Sequence, residues 1–402
     1  MRSRLFSAMG WLIPAIYLTF TTAYALSNVF LVLVLLLFVL TVNRQYLASE
    51  RWSAPALWLL ALWLLIVAGM FYTPAPWSWS SINLGKYSKM AYVIPIMLVL
   101  HDRPDWQTRA LHAFAIGMTF VLLSTWLNIW FVLPWSSSKV PGWGVSHHVM
   151  YDYIIQNVMM SFYVVYALVK ADGEPQVLRK AVWWLLALMG VISITHLSQG
   201  RTGVAVLLPA LLAFAVSQWG GRKTLLALPL LAIAIAVTAL SSSVMRARID
   251  QAQTEFLNRN EDVFSSIGHR LYNWKTTPKL IAENPIFGSG TGAYHTEICR
   301  FMDKPEWCDT FRWHTHNQYL FFAADHGLIG VCLYVALIAS LFWVAYRTNK
   351  PPARTLLYAL ASILSVNSLI NSPMFSAKES EFFLYMMVLL TSICRQPLSL
   401  KS

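Results

Sequence analysis

Apolar residues in this chain arrive in runs, and the runs have the length of a lipid bilayer. Twelve can be marked, over residues 5–26, 28–42, 55–72, 87–100, 111–133, 149–169, 181–197, 202–219, 224–240, 317–346, 355–371 and 381–393. A helix needs roughly 20 mostly apolar residues to cross the hydrocarbon layer. The second and twelfth runs are shorter, and are expected to be tilted or flanked by interfacial side chains. Of the 402 residues only 12% are charged, against 57% hydrophobic, and mean hydropathy is +0.53. A soluble domain carries roughly twice that charge to keep its surface wet. A soluble protein is thereby excluded, and the expected fold class is an all-α polytopic membrane protein of about twelve transmembrane helices.

A formal net charge of +12 would suggest a nucleic-acid partner in a soluble chain. Here it follows from the accumulation of Lys and Arg in cytoplasmic loops. With the N-terminus inside, sixteen basic residues fall on one side, among them Arg44, Arg51, Lys170, Arg179 and Lys401. Only Lys86, Lys89, Lys139, Arg201 and Lys378 fall in the short loops of the other. The bias places both termini in the cytoplasm and the single long loop, 241–313, outside. Arg2 and Arg4, an apolar stretch and Ala23-Tyr24-Ala25 imitate a signal peptide. The segment is read as the first membrane helix. Three regions result: 1–240 with nine transmembrane helices, 241–316 as an external loop domain expected to carry the active site, and 317–402 with the last three helices.

The loop carries nine basic and nine acidic residues and is expected to fold. Apolar residues at mixed helical spacing over 243–260 suggest an amphipathic helix on the membrane surface, and a second helix is expected over 271–283, ended by Asn284-Pro285. Cys299 and Cys308, nine apart in an oxidising compartment, are candidates for a structural disulfide. Neither stands in a redox or metal spacing.

Candidate functional groups gather on the outward side. Arg201 stands in Ser198-Gln199-Gly200-Arg201, a turn between two spans, where arginine is costly unless paired. It either reaches lipid headgroups or offers its planar fork to a phosphate or pyrophosphate. Arg270, after Gly268-His269, is by itself an ordinary surface arginine. Arg248 and its loop neighbours read as solvated. The glycine-rich 283–292 segment has no preceding strand, so it is a turn before it is a nucleotide loop. In His314-Thr315-His316-Asn317 the histidines, at i, i+2, do not share a helical face. Zinc on a helix would need i, i+4 and a third ligand, so no metal is expected. Asn317 could cap the next helix. An imidazole here suits general-base work on a hydroxyl, with His316 first choice and His314 second. Lys86 and Lys89 could add charge to the same site, and Asp152, beside His147 and His148, could orient a histidine or pair an arginine.

Taken together these segments resemble the O-antigen ligase and polymerase superfamily. The resemblance rests on Ser198-Gln199-Gly200-Arg201, on Arg270 and Trp274 ahead of Asn284-Pro285-Ile286-Phe287-Gly288-Ser289-Gly290, and on His316-Asn317-Gln318-Tyr319-Leu320 followed by Gly327-Leu328-Ile329-Gly330. It covers most of the chain. His314 ahead of His316-Asn317 looks more like ligases than polymerases. The resemblance implies a glycosyltransferase of the membrane-embedded C type in the bacterial inner membrane, with its site facing the periplasm. It implies a donor of undecaprenyl-pyrophosphate-linked O-antigen and an acceptor hydroxyl on lipid A–core, with no cofactor. Arg201 and Arg270 would hold the pyrophosphate in place of a metal, and His316 would take the acceptor proton. An O-antigen polymerase or a protein O-glycosylating ligase would use the same chemistry on another acceptor. A transporter would show paired half-repeats or broken central spans, and neither is visible.

Overall fold

The computed structural model describes residues 2–42, 52–259 and 261–395; Arg44, Arg51 and Lys401 lie outside them. Its regular structure among these residues is helical. The helices of eight residues or more are α1 Arg2–Thr22, α2 Tyr24–Thr41, α3 Ala54–Gly69, α4 Trp77–Tyr87, α5 Lys89–Leu100, α6 Pro104–Leu127, α7 Tyr153–Gly173, α8 Val177–His196, α9 Arg201–Trp219, α10 Gly221–Ser241, α11 Ser243–Leu257, α12 Ser266–Glu283, α13 Gln318–Arg347, α14 Pro351–Ile370 and α15 Ala377–Cys394. All twelve expected apolar segments are helical. Eight of the helices are long and apolar enough to cross a membrane: α1, α2, α6, α7, α8, α9, α13 and α14. The protein is thus a multi-pass helical membrane protein. Of the others, α3 has 16 residues and α5 only 12.

Burial sorts the helices into a centre and a rim. Residues 155–169 of α7 and 379–392 of α15 are buried without interruption. By contrast α2 turns Val39 (77% exposed) and Leu36 (55%) outward, where only lipid can cover them. The central position of α15 lets it keep acids that a lipid-facing helix could not. Glu381 pairs with Lys89 at 2.5 Å, and Glu379 accepts from Asn367 Nδ2 (2.5 Å) and Asn371 Nδ2 (3.0 Å).

The long loop holds two helices, as its patterning suggested, with different bounds. α12 starts at Ser266, ahead of the expected Leu271, because the Ser265 hydroxyl accepts the Gly268 N–H at 3.1 Å and caps the end. The larger surprise is α13, expected as one continuous span. It breaks at Gly327 (φ 60°, ψ −158°). A break inside a span exposes backbone groups that lipid cannot satisfy. The glycine-rich segment fills it. Ser289 and Gly290 N–H donate to the Ala324 and Asp325 carbonyls (3.0 and 2.8 Å), while Leu328 and Ile329 N–H donate to those of Pro285 and Ile286 (2.8 and 3.3 Å). The buried Asp325 carboxylate accepts from Gly292 N (3.0 Å) and Tyr294 N (2.9 Å). Gly288, at φ +71°, must be glycine twice over, since a Cβ would strike the backbone of residues 325–327. The segment is therefore neither a free turn nor a nucleotide loop.

Candidate active site

α9 begins where the Ser198-Gln199-Gly200 turn packs onto α7. Asn157 Nδ2 donates to Ser198 Oγ at 2.7 Å, and a side chain on Gly203 would collide with Asn157. Arg201 is the first residue of α9, and its fork faces Glu255 of α11, with Nη1–Oε2 at 3.3 Å and Nη2–Oε1 at 3.4 Å. Glu255 is held in turn by Gln251 Nε2 (2.6 Å) and the Ile267 N–H (3.1 Å). So the arginine is paired, as its depth requires.

Arg201 shares a cavity of about 90 Å³ with Tyr153, Gln199, Arg248, Ser266 and Arg270. Arg248 donates to Gln199 Oε1 and to Gln251 Oε1 (2.5 Å). Among the described residues Arg270 bonds only within its own turn, to Ser266 Oγ at 3.1 Å and Ser266 O at 3.4 Å, and its Nε is shut off from solvent with no acceptor. Burial first, then the neighbouring Arg201, pushes the Arg270 guanidinium below its ordinary value. Among the described residues it forms no ion pair. Three arginines around one small cavity, of which only Arg201 forms an ion pair among the described residues, make a site shaped for an anion.

The residue preceding Arg270 leads to the histidines. The His269 ring stacks on Phe311 (centroids 4.4 Å apart, 13° between planes) and meets His316 edge-on at 4.9 Å. His316 and His314 rings are 4.1 Å apart, and the His316 N–H donates to His314 Nδ1 at 3.2 Å. Residues at i, i+2 do not share a helical face, but His316 has φ +51°, a left-handed conformation unusual for a side-chain-bearing residue, and the turn folds back to bring both rings together. Its neighbours enforce the strain. Asn273 Nδ2 and Trp274 Nε1 of α12 hold the His314 and Thr315 carbonyls, both at 3.2 Å, and Asn317 caps α13 by accepting the Leu320 N–H at 3.0 Å.

Burial lowers the pKa of His316, and the charges of His314, Arg270 and His269 lower it further. His314 is pushed down to about 3, by burial and then by His269, Lys86 and Arg270. His269 is lowered by burial and by Arg270, against its contact with the Thr310 carbonyl. Each of these shifts favours the neutral ring over the imidazolium. The cluster's link to the arginine cavity is covalent and short, through the adjacent residues His269 and Arg270.

Lys86 stands at the edge of this cluster, its ammonium 3.5 Å from the Phe375 ring centroid. Lys89 does not. It is committed to Glu381, to Tyr24 Oη (2.9 Å) and to the Ala377 carbonyl (3.1 Å), so the structure gives it a packing role and removes it from the candidate site. Asp152 likewise caps α7, accepting the Ile154 and Ile155 N–H groups at 2.9 and 3.0 Å. Cys299 and Cys308 are joined in a disulfide with their Cα atoms 5.0 Å apart, in the segment that brings Phe311 onto His269. Sequence reasoning missed Arg248, Glu255 and His269. The first two had a signal: Arg248, Gln251 and Glu255 lie along one face of an amphipathic helix.

The family model described as O-antigen ligase matches residues 184–335. No curated protein matches the chain. Among solved structures, a chain from a study of how a peptidoglycan synthase complex coordinates polymerization and crosslinking is 16% identical, with 87% of this chain and 99% of that chain covered at a TM-score of 0.47. Residues 184–335 take in Arg201, Arg248 and Arg270 of the arginine cavity, the glycine-rich segment and the histidine turn, and over this stretch the chain is similar to the O-antigen ligase family.

Proposed function

We propose that the protein is a metal-independent, inverting glycosyltransferase of the membrane-embedded C type. In this reading it moves O-antigen polysaccharide from undecaprenyl pyrophosphate to lipid A–core on the periplasmic face of the bacterial inner membrane. The observation that carries it is the junction of an arginine-lined cavity and a neutral histidine cluster through His269 and Arg270. The acceptor hydroxyl oxygen attacks the anomeric carbon, and the carbon–oxygen bond to pyrophosphate breaks on the opposite face. The proton passes to His316, and the charge appearing on the departing pyrophosphate falls to Arg201, Arg270 and Arg248, with Lys86 nearby. Glu255 fixes the Arg201 fork ahead of binding, and His314 supports His316. Cationic donors aimed at developing charge can do what a divalent cation does elsewhere.

The test is transfer by the full chain in membranes, with a defined undecaprenyl-pyrophosphate glycan and rough lipopolysaccharide followed on a gel, with and without EDTA. Transfer that survives chelation supports the proposal. Loss on chelation restored by Mg²⁺ overturns the arginine mechanism. Replacing the lipopolysaccharide by a growing glycan or by a protein acceptor distinguishes ligase from polymerase and from protein glycosylation.

A further inference from the structure

A second basic cavity lies at the far ends of the same helices. Tyr153, at the start of α7, lines the arginine cavity, while Lys170, near its end, lines another of about 530 Å³. Seventeen residues of helix separate them, about 26 Å at ~1.5 Å per residue. That is close to the hydrocarbon thickness of a bilayer, so the second cavity opens at the opposite interface.

Three helices form it, and each presents the same gradient. α6 contributes His112 and, four residues on, Ile116. α7 contributes Lys170 and, four residues back, Tyr166. α8 contributes Arg179 and, four residues on, Trp183. A spacing of four stacks side chains along one helix face. Every wall therefore carries a basic group at one level and an apolar or aromatic surface one turn deeper. Among the described residues neither Lys170 nor Arg179 forms an ion pair. Glu174, also in the wall, accepts the Gln176 N–H at 3.2 Å and closes the turn between α7 and α8.

We propose that this cleft binds an anionic phospholipid, its phosphate between Lys170 and Arg179 and an acyl chain along Ile116, Tyr166 and Trp183. Basic residues in membrane loops usually face dispersed headgroups and need no cavity. Here the polarity gradient matches one lipid molecule, head to tail. A soluble phosphate would use only the outer half. The proposal is independent of the reaction assigned to the opposite face.

Native mass spectrometry of the full chain in detergent tests it, with phosphatidylglycerol, phosphatidylcholine and inorganic phosphate as separate probes. Each basic residue near a lipid phosphate contributes about fivefold in affinity. Retention of phosphatidylglycerol should fall about fivefold in Lys170→Gln or Arg179→Gln, and about thirtyfold in the double variant. Lys180→Gln, which removes the same charge outside the cavity wall, should change little. Ile116→Trp, which fills the groove and leaves the charges in place, should also weaken retention. Equal retention of phosphatidylcholine, an equal loss in Lys180→Gln, or unchanged binding in both the double variant and Ile116→Trp overturns the proposal. Competition by inorganic phosphate at matched concentration would show an anion site without a lipid.

Discussion

Replacing Arg270 with methionine should make the empty protein more stable while abolishing its function. Arg270 Nε is buried with no acceptor, and the guanidinium sits beside Arg201 without an ion pair of its own. An unsatisfied buried polar group costs about 1–3 kcal/mol, and methionine of similar length removes that cost with little loss of packing. Ligand-free Arg270→Met should therefore gain about that much. Pyrophosphate at about a hundred times its dissociation constant should stabilise the wild type by ~2.7 kcal/mol and the variant hardly at all, closing or reversing the gap. The assay is thermal unfolding in detergent with and without pyrophosphate, alongside the transfer reaction. A variant that melts below the wild type when empty, or that gains equally from pyrophosphate, refutes the assignment of Arg270 as an uncompensated anion ligand.

His316→Ala should slow transfer by about 10²–10⁴-fold, the usual worth of a general base, with His314→Ala milder; wild-type rates in both would leave the histidines as loop structure. Because burial and nearby cations lower the histidine pKa values, the basic form persists to lower pH, and is lost only as pH falls through those depressed values. Thus kcat/KM should stay flat from pH 7.5 down to about 5.5, and an acid limb centred near the ordinary ~6.5 would contradict the geometry. Gly288→Ala should cost at least ~1–2 kcal/mol from its left-handed backbone alone, and more from collision with residues 325–327. Gly85→Ala, in open space on α4, should instead stabilise by about 0.5–1 kcal/mol; differential scanning fluorimetry decides both, and a neutral Gly288→Ala would mean the segment is not locked.

The bundle was legible because an apolar run reports its own burial in lipid. Arg201 and Arg270, 69 positions apart, were singled out by motif, and the structure puts them in one cavity. What hydropathy does not register is the break in α13, since Gly327 leaves the apolar run intact and its backbone is satisfied by residues some forty positions upstream. Lys89 was misassigned for the same reason: its partner Glu381 is 292 residues away. The clustering of His314 with His316 depends on one positive φ, which no residue type at that position announces.

The splice between the glycine-rich segment and α13 sets an order of biogenesis. Residues 285–290 emerge from the ribosome before their partners at 324–329, and until α13 has inserted the four hydrogen bonds between the two segments cannot form. The same helix receives its cap contact from α14, through Asn317 Nδ2 and the Leu369 carbonyl at 3.1 Å. Arg201, Arg248 and Arg270 are therefore translated well before the histidine turn acquires its shape. A nascent chain halted before α14 would hold the three arginines and lack the contact that fixes Asn317, so the histidine turn is completed only with the last membrane helices.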